Sequence, residues 1–194
     1  RRTEWLRYED APKSVMVLVD LLSLQLANRV SRRSIVDPHS PWVVSTTTHG
    51  QRLRRVYVAI ESVGRGTVRP GRHILWLDDA ELFAQMPRSL RRLERRGLEV
   101  RLVEPGLRVH TKYWPYVDSH EVHDSPLVVC DDDIIYPRSW LEGLGEASER
   151  LPGPIVAYRT HTMGVNNGAI SPYVTWTPTD NSEPAFRRFP TAVS

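Results

Sequence analysis

Short, almost purely apolar runs alternate with stretches of helical spacing from Trp42 onward, and this alternation constrains the fold more than any other feature. Runs of four or five apolar residues suit strands covered on both faces, and helical stretches between them suit the crossovers of a parallel sheet. The pattern predicts an α/β domain with a mainly parallel sheet flanked by helices, its strands over 42–46, 73–77, 99–103, 127–130 and 155–158. Helices are expected over 52–63, 89–96 and 138–150, with Gly97 closing the second of them.

Ahead of this domain, Leu18, Leu21, Leu22 and Leu26 recur at helical spacing, which predicts an amphipathic helix over 13–30. A linker rich in Ser, Pro and Asp follows over 31–41. The helix is expected either to pack on the main domain or to meet a partner or an acidic lipid surface, because arginines follow it. After Gly164 the pattern dissolves, so 164–194 reads as an irregular tail, the start of an acceptor region cut short. The expected organisation is therefore 1–41, 42–163 and 164–194. A start at Arg1 without an initiator Met or a signal-peptide layout suggests a trimmed or fragmentary chain.

Composition narrows the class. In 194 residues, 40% hydrophobic and 25% charged content argues for a folded protein and against wholesale disorder. The formal charge of +3 rests on 26 cationic residues, only two of them lysines, Lys13 and Lys112. The cluster Arg91, Arg92, Arg95 and Arg96 reads as a solvated helix face or a phosphate holder, and nucleic-acid binding is not expected. A single cysteine, Cys130, excludes an internal disulfide and a cysteine-rich zinc site, and its apolar neighbours mark it as a small core residue. The apolar run over 15–27 is interrupted by Asp20 and is too short to cross a bilayer. The expected location is cytoplasmic, or peripheral at the inner membrane face through the first helix.

The chemistry concentrates where Leu127-Val-Val-Cys130 runs directly into Asp131, Asp132 and Asp133. Three adjacent carboxylates repel one another unless a cation or several donors compensates. On an extended strand Asp131 and Asp133 would project together and Asp132 elsewhere, a pair suited to a hard ion such as Mg²⁺ or Mn²⁺. Such an ion would neutralise a departing diphosphate. The plainer reading is an acidic turn that caps the helix over 138–150. Ligands of open α/β sheets bind beyond the carboxyl ends of the strands, and 45–51, Asp78 with Asp79, and 131–133 all fall there.

Asp131-Asp-Asp133 resembles the Asp-x-Asp motif of glycosyltransferases with the GT-A fold, a Rossmann-like nucleotide-sugar-binding domain. Val43-Val-Ser-Thr-Thr-Thr-His-Gly-Gln-Arg-Leu53 is similar to a strand and loop of one bacterial group of these enzymes, family 2-like. Ser45, Thr47, Thr48 and Arg52 match that group and Thr46 departs. Ile74-Leu-Trp-Leu77, Lys112-Tyr113 with Pro115, and Asp132-Asp133-Ile-Ile-Tyr-Pro137 continue the similarity, which recurs at Phe189-Pro-Thr191. The resemblance implies a glycosyltransferase using a nucleoside-diphosphate sugar, UDP-sugar favoured, a glycan acceptor and Mn²⁺ or Mg²⁺. It makes Ser45, Thr47, Arg52, Asp78, Lys112, Asp131 and Asp132 candidate nucleotide-sugar contacts, and Asp131 and Asp133 candidate metal ligands.

Other residues keep two readings each. Lys112 either offers a compact charge to a diphosphate or lies along Tyr113 at the surface. Asp78 and Asp79 either recognise a pyrimidine or ribose or start the next helix as caps, with capping favoured for one. Arg159 and His161 either approach phosphate or acceptor or are structural, whereas His110, His120 and His123 read as loop residues. No residue is assignable as the base an inverting transfer requires. A Mg-dependent phosphohydrolase, or a non-catalytic nucleotide- and metal-binding module of the same fold, are the alternatives.

Overall fold

A computed structural model describes residues 6–7, 15–153, 155–179 and 187–190. Lys13 of the expected first helix and Thr191 of the Phe-Pro-Thr recurrence lie outside the described residues. The chain divides into two compact units, Arg1–Glu142 and Gly143–Ser194.

The first unit is mixed α/β, built on a four-stranded, all-parallel sheet flanked by helices and compatible with a Rossmann-like arrangement. Its strands are β2 (Val43–Thr47), β3 (Arg72–Leu77), β4 (Leu98–Leu102) and β5 (Leu127–Cys130). The spatial order is β4-β3-β2-β5. A separate antiparallel pair joins β1 (Leu6–Arg7) to β6 (Ile134–Ile135), a pairing that two-residue segments are too short to announce in sequence.

Alternation along β3 assigns the two faces of the sheet. Leu75 and Leu77 pack with Ile60 of α2 (Tyr57–Gly64), Leu90 and Leu93 of α4 (Arg88–Glu94), and Leu53. Ile74 and Trp76 pack instead with Val43 and with Tyr116 of α5 (Trp114–Asp118). The same alternation lets His73 Nε2 and Cys130 Sγ both reach Thr46 Oγ1, at 3.1 and 2.7 Å. Three neighbouring strands are thus linked by buried side chains.

Helix boundaries differ from expectation for local reasons. The stretch expected as one helix over 52–63 is a 3-10 helix, Gly50–Arg54, followed by α2. Gly50 has φ +53°, which a residue without a Cβ adopts most cheaply. Asp79 caps α3 (Ala80–Ala84) by accepting from the Glu81 and Leu82 amides at 2.9 and 3.0 Å. Gly97, just beyond α4, has φ +106°, in keeping with its role as a stop.

The first helix, α1 (Val15–Val30), packs on α2, with Val17 and Leu24 beside Val58 and Ile135. It is not amphipathic in the expected sense, because Val15, Val19, Leu22 and Leu26 are exposed apolar residues on its opposite side. The expected linker over 31–41 is also packed, with Ile35 buried among the residues of α2, α4 and β4.

Arg92 and Arg96 correct the reading of their cluster as a solvated face. Arg92 donates to Asn28 Oδ1, and Arg96 forks onto both oxygens of Glu61 at 2.5 and 3.0 Å. Asn28 in turn donates to Glu61 Oε1 at 3.0 Å, so α1, α2 and α4 share one polar lock.

The second unit contains α6 (Trp140–Arg150) from Gly143 onward, followed by short antiparallel strands. The strand expected over 155–158 is absent among the described residues there, and β7 (Thr160–Thr162) takes its place slightly later. A hairpin joins β8 (Val165–Asn166) to β9 (Ala169–Ile170) through Asn167 and Gly168, both at positive φ. That Asn-Gly turn was the available signal against an irregular tail. β10 (Thr177–Pro178) and β11 (Arg188–Pro190) pair on either side of β7. Among the described residues no helix is long and apolar enough to cross a membrane.

Candidate functional site

Strand order decides where a ligand can enter. The chain runs from β2 outward through β3 to β4, then returns to the other side of β2 to place β5. Open α/β sheets bind ligands where the order reverses, at the carboxyl ends of the two strands that flank the reversal. Here those strands are β2 and β5, which deliver Thr48 with the Gly50–Arg54 turn from one side and Asp131 to Asp133 from the other.

The three carboxylates part company beyond Cys130. Lys112 Nζ donates to Asp131 Oδ1 at 2.6 Å. Thr48 Oγ1 donates to Asp132 Oδ2 at 2.6 Å, and Arg52 Nη1 donates to Asp132 Oδ1 at 3.0 Å. Arg52 Nη2 also lies 3.9 Å from Asp133 Oδ2. Asp132 and Asp133 therefore share Arg52 while Asp131 stands with Lys112. The strict alternation expected of a strand stops at Cys130, because 132–133 form a turn.

Lys112 is held in place from behind. Ser45 is fully buried, donates to the Lys112 carbonyl at 2.5 Å and accepts from Trp76 Nε1 at 2.8 Å. Ser45 thus sets the backbone that carries Lys112 rather than facing a ligand. Thr47 donates to the Trp76 carbonyl at 3.1 Å and is likewise engaged within the sheet. Asp78 follows β3 and is half-buried at the same edge.

Below the acidic turn, the Asp131 amide donates to Tyr136 Oη at 2.8 Å, and the Tyr136 amide donates to Ser62 Oγ at 2.9 Å. The Tyr136 ring lies against Trp140, centroids 4.3 Å apart. Burial holds the Tyr136 hydroxyl protonated, well above its ordinary range. Thr48 and Tyr136 are the contributors that sequence reasoning left out of the site. Thr48 was legible by parity, since it continues the Val44 and Thr46 side of β2 past the strand end.

Burial pushes the Asp131 carboxyl above its usual range; Lys112 opposes this by charge and hydrogen bond, and Asp133 and Asp132 add to it. Among the described residues no group of three or more His, Cys, Asp or Glu side chains is arranged to hold a metal ion. Magnesium-type sites commonly draw only one or two carboxylates from the protein, the rest coming from phosphate and water. Asp131 and Asp133 are oxygen donors of that type, but the turn seats them on different cations rather than side by side as expected.

Arg159 and His161 belong to the second unit. His161 lies in β7, its ring 5.7 Å from Tyr173 and part of an aromatic series continuing to Trp176 and Phe189. Near α5, His110 contacts the Tyr113 hydroxyl at 2.7 Å, and His120 stacks on Tyr116. Neither histidine, in these local pairings, reaches the acidic turn.

No protein-family model matches the chain, and comparison with curated proteins and with solved structures gives no match either.

Proposed function

We propose that the chain is the nucleotide-sugar-binding part of a GT-A-type glycosyltransferase, which moves a sugar from a nucleoside-diphosphate sugar, UDP-sugar favoured, to a glycan acceptor. The observation that carries this reading is the address of Asp131, Asp132 and Asp133 at the reversal point between β2 and β5, with Lys112 and Arg52 beside them.

Each residue has a distinct task in this reading. Lys112 meets the diphosphate with a compact charge while Asp131 holds its ammonium in position. Arg52, half-exposed and anchored on Asp132, brings a second positive charge to the phosphates. Thr48 fixes the Asp132 carboxylate, so the cation above it does not drift. A divalent cation held by Asp131 and Asp133 would supply charge neutralisation to the leaving diphosphate. Arg159 and His161 enter only as candidates for phosphate or acceptor contact from their sequence position.

The test is a thermal-shift series with UDP, GDP and ADP, each with and without Mn²⁺, on the wild type and Asp133→Ala. The expected result is stabilisation by one diphosphate that depends on Mn²⁺ and vanishes in the variant. Release of free sugar from the matching donor, without release of inorganic phosphate, separates this reading from a phosphohydrolase. A second reading is a non-catalytic nucleotide-binding module of the same fold. It draws on the protein cations already seated on Asp131 and Asp132, and donor binding without turnover supports it.

A further inference from the structure

α1 carries apolar residues on two opposite sides, and the fold buries one of them. α1 has Val17, Leu24 and Asn28 buried on the side facing α2 and α4. Its other side carries Val15, Leu18, Val19, Leu22, Leu26 and Val30, exposed by 45–80% of their surface. At 100° per residue these six fall on one stripe centred opposite Leu24, on a helix roughly 24 Å long. Single exposed apolar residues are ordinary, but a continuous stripe of this kind marks an interaction surface.

The surrounding charge indicates what the stripe meets. Exposed Arg29, Arg32 and Arg33 lie at the carboxyl end of α1; α4, packed beside it, adds exposed Arg88 and Arg91, and exposed Arg95 follows directly after α4. The acidic groups of these elements are largely engaged. Asp20 pairs with Arg65 at 2.9 Å and Glu61 with Arg96, which leaves half-buried Glu94. Apolar side chains flanked by arginine suit the interfacial layer of a membrane rich in anionic lipid: aliphatic groups enter the acyl boundary and guanidinium groups meet headgroup phosphates.

We infer that the exposed stripe of α1 docks the protein on an anionic lipid surface, lying in the plane of the interface without crossing it. This rests on α1 and its arginine rim alone and is independent of the reading of the acidic site.

The test is co-sedimentation of the full chain with vesicles of phosphatidylcholine alone and of phosphatidylcholine with phosphatidylglycerol. Expected is binding to the anionic vesicles at least tenfold tighter than to the neutral ones, reduced at least tenfold by Leu22→Glu with Leu26→Glu. A second variant, Arg29→Gln with Arg32→Gln and Arg33→Gln, keeps the apolar stripe and is expected to weaken anionic binding several-fold, with an unchanged circular dichroism spectrum. Sedimentation velocity without lipid completes the experiment. Absence of binding, equal binding to both vesicles, or a dimer that the Leu22 and Leu26 substitutions dissociate would overturn the inference, the last by assigning the stripe to a second copy of the chain.

Discussion

Lys112 Nζ stands 2.6 Å from Asp131 Oδ1 while the carbonyl of the same lysine accepts the Ser45 hydroxyl, so the residue is held through both its main chain and its ammonium group. One end belongs to the centre of the sheet and the other to the acidic turn. A residue placed this way can carry charge to a ligand without first being ordered, which lowers the entropic cost of binding.

Lys112→Gln removes the charge and leaves a polar side chain one atom shorter. The expected outcome is at least a tenfold loss of affinity for the preferred nucleoside diphosphate, read by titration calorimetry, with a change in melting temperature of only a few degrees. Unchanged affinity would remove Lys112 from the proposed site.

Ser45→Ala probes positioning rather than ligand contact. It leaves the buried Trp76 Nε1 and the Lys112 carbonyl each short of a partner, a loss of about 1–3 kcal/mol for a buried polar group left unpaired. Urea melts should show that loss, and Ser45→Thr should restore part of it if the hydroxyl finds both partners.

Neighbouring arginines should behave very differently. Arg96→Ala strands the Glu61 carboxylate in the interior and is expected to cost about 3–5 kcal/mol, whereas exposed Arg95→Ala should stay within about 0.5 kcal/mol. Parallel denaturant titrations of the two variants check the contrast. Equal effects would mean that the Glu61 pair does not form.

Burial holds His73 neutral in the fold, with its pKa down at about 3, whereas the unfolded chain protonates it near 6.5. Between these values the unfolded state carries the additional proton, so stability that is complete above pH 6.5 falls as pH drops toward 3. The slope from this one group is at most about 1.4 kcal/mol per pH unit. His73→Phe lacks that slope, so the stability difference between wild type and variant should change steadily from pH 6.5 to pH 4.5. A difference independent of pH over that range would show that His73 is not held neutral.

Cys130 should be inert in the native state. Its thiol is buried against Thr46 and pushed up to about 12, so thiolate is scarce at neutral pH. Iodoacetamide is expected to leave the folded chain unmodified and to label it after denaturation, as mass spectrometry would read directly.

Local order was legible because its causes are local. Leu127–Cys130 forms a strand with the expected bounds, its Val128 and Cys130 buried on one face and its Leu127 and Val129 half-buried on the other, so an apolar run suits both. The alternation of apolar runs with helical stretches likewise sufficed for an α/β unit with a parallel sheet. The 3-10 helix at Gly50–Arg54 was hidden, because it turns on a single positive φ inside a stretch whose apolar spacing resembles one continuous helix.

The sequence alone determined that three carboxylates would crowd at the end of a buried strand and that their charge would require compensation. Only the tertiary structure decided which groups compensate it. Thr48 and Arg52 reach Asp132 from 84 and 80 positions away, and they do so because β5 returns to lie against β2 rather than beyond β4. Apolar periodicity acts within a few residues, whereas strand order and ion pairing depend on which distant surfaces the whole chain buries together. The same distinction separates Arg96, drawn inward by Glu61, from Arg95, one residue away and exposed.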